Sequence, residues 1–426
     1  MSRGASDVQV VAVAAIFAAT YLGLALGRVP WLRVDRAGIA VVGASAMLLT
    51  GALDFADALK TIDLETIALL LGTMIIIGHL RESGFFRLAS SAILARAHAP
   101  VVLLVAVVLI SGMLSAFLVN DAICLVMAPI VIEVTRHLRR NPLPYLLAVA
   151  MASNGGSVAT ITGNPQNMII GNASHIPYVA FILHLGPPAL VALALTVVLI
   201  LIAHRRDFMS AAPERSAGPA AEQAGEPGEK SEASYDLWQL GKAALVGALV
   251  LIAFFAGVPV AEAAIIGASV LLVSRSVAPA KIYPGIDGPL LLMFAGLFIV
   301  VAAAQKVLLG PPIIAAVTQW HLQNAAVLSA VTAVLSNIVS NVPAVLVLKP
   351  FVEVLPDPQR AWEIVAMSST FAGNLTLVGS VANLIVAEQA RRAGIHISFF
   401  GYLRIGAPLT VLTLIFGTLW LAGMPR

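Results

Sequence analysis

The sequence predicts an all-α polytopic membrane protein built as an inverted repeat of two halves. Three observations carry that expectation. The 426 residues are 59% hydrophobic and only 11% charged, with a mean hydropathy of +0.95, whereas a soluble domain carries about a quarter charged residues. Polar blocks recur in the same order in the two halves. Apolar runs are interrupted by Asn, Gly and Pro, which lipid-facing helices do not need.

The duplication is read directly. Ser115 to Asn120, running on to Pro129, matches Ser336 to Asn341, running on to Pro350. Met151 through Thr160, Gly163 and Asn167 matches Met367 through Thr376, Gly379 and Asn383. Ile62-Asp63 to Gly72 matches Ile286-Asp287 to Gly296, so all three blocks repeat at a separation of roughly 216–224 positions. The repeated letters are Asn, Ser, Thr and Gly, which points to a site rather than to lipid-facing packing.

Each half yields the same inventory of elements. Runs near 8–26, 37–53, 64–80 and 178–203 answer runs near 237–256, 259–274, 288–305 and 402–424. The run 101–135, interrupted at Asn120-Asp121, and the run 322–354, interrupted at Asn341-Val-Pro343, read as re-entrant hairpins. Arms of about 15 residues reach only mid-bilayer. Broken helices are expected near 145–171 and 361–388. The total is about 10 transmembrane helices plus two hairpins. Five crossings per half is an odd number, so the second copy enters upside down.

Charge supports this threading. With both termini on the outer face, about 19 of the 25 Lys and Arg residues, Arg81, Arg139, Arg140 and Lys281 among them, fall on one face. Only Arg3, Lys60, Lys306, Lys349, Arg360 and Arg426 fall on the other. That bias makes the first face cytoplasmic; the expected location is a bacterial inner membrane. The halves are expected at 1–206 and 236–426. Residues 207–235, rich in Pro, Gly, Ala, Ser and Glu, form a flexible cytoplasmic linker. Residues 8–26 read as a first span rather than a cleavable signal. Basic residues in short loops report orientation and not nucleic acid. One cysteine, Cys124, excludes an intramolecular disulfide and a multi-cysteine metal site. No P-loop or HExxH motif is present, and no cofactor or metal is expected.

Breaks inside a membrane leave backbone N–H and C=O groups that must face a wet cavity or a ligand. An inverted repeat brings the four breaks together at the midplane. The expected substrate pocket comprises Asn120, Thr160, Thr162, Gly163, Asn164, Asn167, Asn341, Asn374, Thr376, Gly379, Ser380 and Asn383. Close helix packing is the other use of such residues, but packing does not require duplication together with helix breakers. Asp121, at the first hairpin tip, is matched by Val342. An intramembrane carboxylate marks function by default, so Asp121 reads as a proton carrier, a sodium ligand or a helix N-cap. Asp63 and Asp287 are repeat mates at helix starts and read as caps. Glu388 beside Arg391 and Arg392 reads as an interfacial pair. No Lys or Arg is expected deep in a span, which disfavours tight binding of a multiply charged anion.

At these residues the chain resembles the ion transporter superfamily, and within it the arsenite permease (ArsB-type) and anion-permease branch. Val119-Asn120-Asp121-Ala122 with Ala128-Pro129-Ile-Val-Ile132 resembles the Asn-Asp…Pro-Ile-Val element of arsenite permeases. Ser336 through Asn341-Val-Pro343 resembles their second hairpin, and Glu82-Ser-Gly84-Phe-Phe86 a further family segment. Thr162-Gly163-Asn164-Pro165-Gln-Asn167 is similar to the superfamily signature, with Gly373 to Asn383 as its partner, and leans towards the general anion-permease pattern.

The resemblance implies scaffold and transport domains, an elevator-like shift, and proton antiport exporting neutral As(OH)3 or Sb(OH)3. It also implies a separate soluble ATPase as a partner. Three readings stay open at this point: arsenite and antimonite export, sodium- or proton-coupled transport of a carboxylate or inorganic anion, and sodium/proton antiport. No nucleophile or partner base stands near Asp121 in the sequence, so an enzyme is not expected.

Overall fold

In the computed structural model residues 7–26, 34–86, 88, 99–209, 237–273, 277–308 and 320–424 are described. Helices and turns account for the described residues, and no strand occurs among them. Seven helices are long and apolar enough to cross a bilayer, and four shorter apolar helices of 12–15 residues accompany them. Their exposed faces carry Leu, Val, Ile and Phe, as lipid contact requires.

In chain order the first half comprises α1 (Asp7–Leu26), α2 (Arg36–Leu49), α3 (Phe55–Thr61), α4 (Leu64–Glu82), α5 (Pro100–Phe117), α6 (Asn120–His137), α7 (Leu143–Ser157), α8 (Pro165–Ser174) and α9 (Tyr178–Ala203). The short α10 (Arg205–Met209) follows. The second half is α11 (Leu237–Phe255), α12 (Val260–Leu272), α13 (Pro279–Ile282), α14 (Gly288–Leu308), α15 (Ala325–Val339), α16 (Asn341–Val352), α17 (Pro358–Ala372), α18 (Val381–Arg392) and α19 (Phe399–Gly423). Each helix α1–α9 thus has a counterpart ten labels later. Of the expected linker, residues 207–209 end α10; the rest of it lies outside the described residues.

Both interrupted runs fold as helical hairpins, with two differences from expectation. The breaks fall at Leu118-Val119 and at Ser340, just before the Asn residues rather than on them. Pro343 then sits in the first turn of α16, where its missing N–H leaves no intrahelical bond unmade. The arms of the first hairpin are also longer, 18 residues each, or about 27 Å at 1.5 Å per residue.

Packing is reciprocal between the halves. α2 lies against α14 and α4 against α12; α7 lies against α18 and α17 against α8. The closest approach is matched too. A Cβ on Gly72 would lie 2.7 Å from the Ala264 carbonyl carbon, and one on Gly296 2.8 Å from that of Ala40. Gly72 and Gly296 are repeat mates, as are Ala40 and Ala264, all offset by 224 (296 − 72 and 264 − 40). Small residues let these backbones meet. Two groups result: α1–α4 with α11–α14, and α5–α9 with α15–α19.

This packing makes a paired expectation. Gly72→Leu and Gly296→Leu should each destabilise the protein by about 1–3 kcal/mol, because neither facing backbone can retreat. Thermal unfolding in detergent measures it, and a loss in only one of the two variants would contradict reciprocal packing.

Candidate functional site

The site begins with two helix breaks built in the same way. After α7 the chain passes through a 3-10 turn at Ile161–Gly163 and an extended Asn164 before α8 starts at Pro165. Asn164 Oδ1 caps α8 by accepting from the Asn167 N–H at 2.9 Å. The Asn167 side-chain amide donates to the carbonyls of Ser157 at 3.2 Å and Thr160 at 2.9 Å. In the second half, Asn383 donates to the carbonyls of Gly373 at 2.7 Å and Thr376 at 3.1 Å. These acceptors are repeat mates, so one clamp is made twice. Gly163 is obligatory within it, since a Cβ there would lie 2.2 Å from the Ser157 oxygen.

A buried polar network joins the two breaks. Asn154, near the end of α7, accepts at Oδ1 from Asn120 Nδ2 and from the Ser380 hydroxyl, both at 3.1 Å. Its Nδ2 donates to Asn374 Oδ1 at 3.0 Å and Asn383 Oδ1 at 2.9 Å. Its repeat mate Thr370, on α17, accepts from Asn164 at 3.2 Å and from Gln166 at 3.1 Å. Each broken segment is therefore held by the other half's helix end. Behind the first break, the Thr160 hydroxyl donates to the Ala116 carbonyl, and Thr162 Oγ1 lies 2.8 Å from the Tyr178 hydroxyl. At the hairpin tips, Ser153 donates to the Asn120 carbonyl at 3.0 Å, and Ser336 to Asn341 Oδ1 at 2.6 Å.

Two cavities meet at Asp121. An inner cavity of about 50 Å³ is bounded by both hairpin tips and both breaks, through Asn120, Asn341, Gln166 and Ser380, with Arg36. An outer cavity of about 380 Å³ runs between α4, α6, α18 and the start of α14, with Arg81 and Asp287 on its wall. Asp121 lines both. It is the second residue of α6, where the helix dipole favours a carboxylate, and it accepts no hydrogen bond from a described residue. Asn120 Oδ1 is buried beside it without a partner. Ser340, at the second tip, holds φ +78° and ψ 161°, a conformation that side chains rarely adopt and that accompanies functional sites.

Of the residues expected in the pocket, Asn120, Asn341 and Ser380 line the inner cavity. Thr160, Thr162, Asn164, Asn167, Asn374 and Asn383 stand behind it, hydrogen-bonded within the breaks. Gly163, Gly379 and the Thr376 carbonyl belong to the break backbone. Sequence reading missed Asn154, Gln166 and Arg36. Their mates are Thr370, Ala382 and Val260, so a search for duplicated letters passes over them. Arg36 is the first residue of α2, half-buried, and brings to the cavity a cation that the sequence places only in an interfacial loop. Glu363 was also missed; it is buried on α17 and paired with His184 of α9.

Comparison with known proteins gives this arrangement a class. The citrate transporter (CitMHS) family matches residues 16–372, and the chain belongs to that family, within the ion transporter superfamily. An uncharacterized transporter of Mycobacterium tuberculosis is 32% identical, over 97% of this chain and 98% of that one. A silicon efflux transporter of rice is 28% identical over 91% and 93% of the two chains. A Dictyostelium discoideum protein named for the arsB transporter is 26% identical over 91% and 87%. The crystal structure of the Alcanivorax borkumensis YdaH transporter shares the fold, with a TM-score of 0.59 at 15% identity and 98% coverage of both chains. The chain is a membrane transporter of the citrate and arsenite permease type, not an enzyme.

The network makes a testable demand. Asn154→Leu strands Asn120, Ser380, Asn374 and Asn383 in an apolar surrounding, at about 1–3 kcal/mol for each buried group left unpaired. Thr370→Val strands only the Gln166 side chain, since Asn164 keeps its bonds to Ser157. The melting temperature should therefore fall further for Asn154→Leu than for Thr370→Val, and equal losses would contradict the hub role.

Proposed function

We propose that the protein is a proton-coupled secondary transporter that exports arsenite or antimonite across a bacterial inner membrane. The observation that carries the coupling is Asp121, a carboxylate without a hydrogen-bond partner among the described residues, where the two cavities meet. A group so placed exchanges a proton with the wide cavity and releases substrate from the narrow one. Protonation removes its charge, which lets the site move through an apolar surrounding. The α1–α4 and α11–α14 group is the scaffold in this reading, and the hairpins and broken helices form a transport domain that shifts in an elevator-like manner. Both termini stand on the outer face, with 1–206 and 236–426 as oppositely inserted halves joined by the cytoplasmic linker 207–235.

Two observations support a small substrate. The inner cavity of about 50 Å³ has room for roughly four water-sized positions, which suits a compact trihydroxide lined by amides and hydroxyls. A relative covering nine-tenths of the chain is named for silicon efflux, and silicic acid is likewise a compact polyhydroxide.

A second reading, transport of a carboxylate or inorganic anion, is favoured by Arg36 in the cavity wall and by the citrate transporter description of the family. The carboxylate in that case lies against Arg36 in the inner cavity, and the rest of the substrate extends past Asp121 into the larger one. Neither reading requires an ATPase partner, and sodium can replace the proton in the second.

Expression in cells lacking their own arsenite exporter separates these readings. Arsenite tolerance should rise, and Asp121→Asn should remove the gain while the protein remains folded. Sodium-dependent dicarboxylate uptake with unchanged arsenite tolerance would overturn export in favour of the second reading. Arg36→Gln adds an independent check. It should leave flux of a neutral trihydroxide within about threefold, yet reduce uptake of a charged carboxylate by tenfold or more, as expected for loss of one charge-assisted hydrogen bond. Vesicle pH jumps on adding sodium, with no response to arsenite or carboxylate, would point to sodium/proton antiport.

A further inference from the structure

We propose that Asp63 with Asn172, and Asp287 with Glu388, are the two gates that decide which face the site opens to, the first closed and the second open in this structure. The inference rests on the inverted-repeat transporter reading above. Asp63 and Asp287 are repeat mates offset by 224 (287 − 63), and Asn172 and Glu388 are mates offset by 216 (388 − 172). They stand on corresponding helices: Asp63 caps α4 and Asp287 caps α14, while Asn172 ends α8 and Glu388 lies in the last turns of α18. The two pairs are therefore one contact described twice.

Only one copy of that contact is made. Asn172 Nδ2 donates to Asp63 Oδ1 at 2.7 Å, and α8 packs against α4. In the same half-turn of the architecture, α16 packs against α14. The mates of these two packings are α18 with α14 and α6 with α4. The 380 Å³ cavity lies between those helices: Ile385 of α18 faces Asp287 and Leu290, and Ala122 and Leu125 of α6 face Ile77 of α4. Glu388 meanwhile binds Arg391 at 2.8 Å and Arg392 at 2.9 Å, both on its own helix. The large cavity is the unfilled copy of a filled contact. Filling it requires α18 to approach α14 as α8 approaches α4, which delivers Glu388 to Asp287.

The two gates differ in chemistry. The closed one pairs an amide donor with a carboxylate. The open one sets carboxylate towards carboxylate, with Arg391 and Arg392 of α18 beside Glu388, and Arg81 of α4 and Asp121 of α6 sharing the cavity wall with Asp287. To reach Asp287, Glu388 must leave Arg391 and Arg392, and two carboxylates so freed repel at close range, so the second gate closes less readily than the first. Glu388→Asn gives it the donor of the first gate, and Asn172→Asp gives the first gate the repulsion of the second. Both changes shift the population towards the opposite state.

The test is alkylation by a membrane-impermeant maleimide in a Cys124→Ala background. Ala122→Cys reports the open cavity. Val301→Cys is buried now and is the mate of Ile77, so it reports the opposite one. Glu388→Asn should slow labelling at position 122 and speed it at position 301, each by threefold or more. Unchanged rates at both would overturn the proposal. As a second measurement, the disulfides of Asp63→Cys/Asn172→Cys and of Asp287→Cys/Glu388→Cys should both form, in mutually exclusive populations, and each should stop transport. Formation of the first with none of the second would also overturn it. Failure of the inverted arrangement reads differently: cysteines at Lys60 and at Ala122 would then be labelled from the same face.

Discussion

Backbone that leaves a helix inside an apolar surrounding must find partners for its N–H and C=O groups, and this constraint organises the whole protein. Four breaks occur among the hairpins and broken helices. In each broken helix one asparagine amide reaches back over the break and ties two carbonyls. Asn154 and Thr370 then tie each break to the opposite half. Groups free of this network, such as Asp121 and Asn120 Oδ1, are those placed where a ligand or an ion can complete them.

The duplication and its failures have different meanings. Letters kept in both copies, such as Asn167 with Asn383 and Gly163 with Gly379, build the breaks and are consumed by them. Letters kept in one copy join the duplicated Asn120 and Asn341 at the cavities: Asp121 against Val342, Arg36 against Val260, Gln166 against Ala382. A pseudo-symmetric frame needs equal clamps on both sides, but a single ligand has no symmetry to match. The same logic extends to the two proposed gates, where Asn172 and Glu388 occupy equivalent sequence positions with opposite hydrogen-bonding character.

The citrate transporter family match covers residues 16–372 and so takes in both hairpins and the first broken helix, clamp and chamber residues alike. Arg36 and the narrowness of the inner cavity pull the reading of substrate in different directions, and they do so through independent features.

Much of the architecture was legible in the chain itself. Apolar runs, proline and asparagine punctuation and the repeat offsets located the helices, the hairpins and the broken segments to within a few residues, since these follow from local backbone chemistry. Asp121 was legible for the same reason, as a charge where burial is costly. Asn154 was not, because an asparagine beside Gly-Gly resembles a helix end until its four partners from three segments are seen together. Nor was Arg36, because a basic residue before an apolar run reads as an interfacial anchor. Sequence alone settled what must be hidden from lipid and where the helices stop, since hydropathy and backbone breakers act along the chain. Only the tertiary structure decided which amides were already satisfied and which residues line the two cavities, because those depend on partners some two hundred residues away.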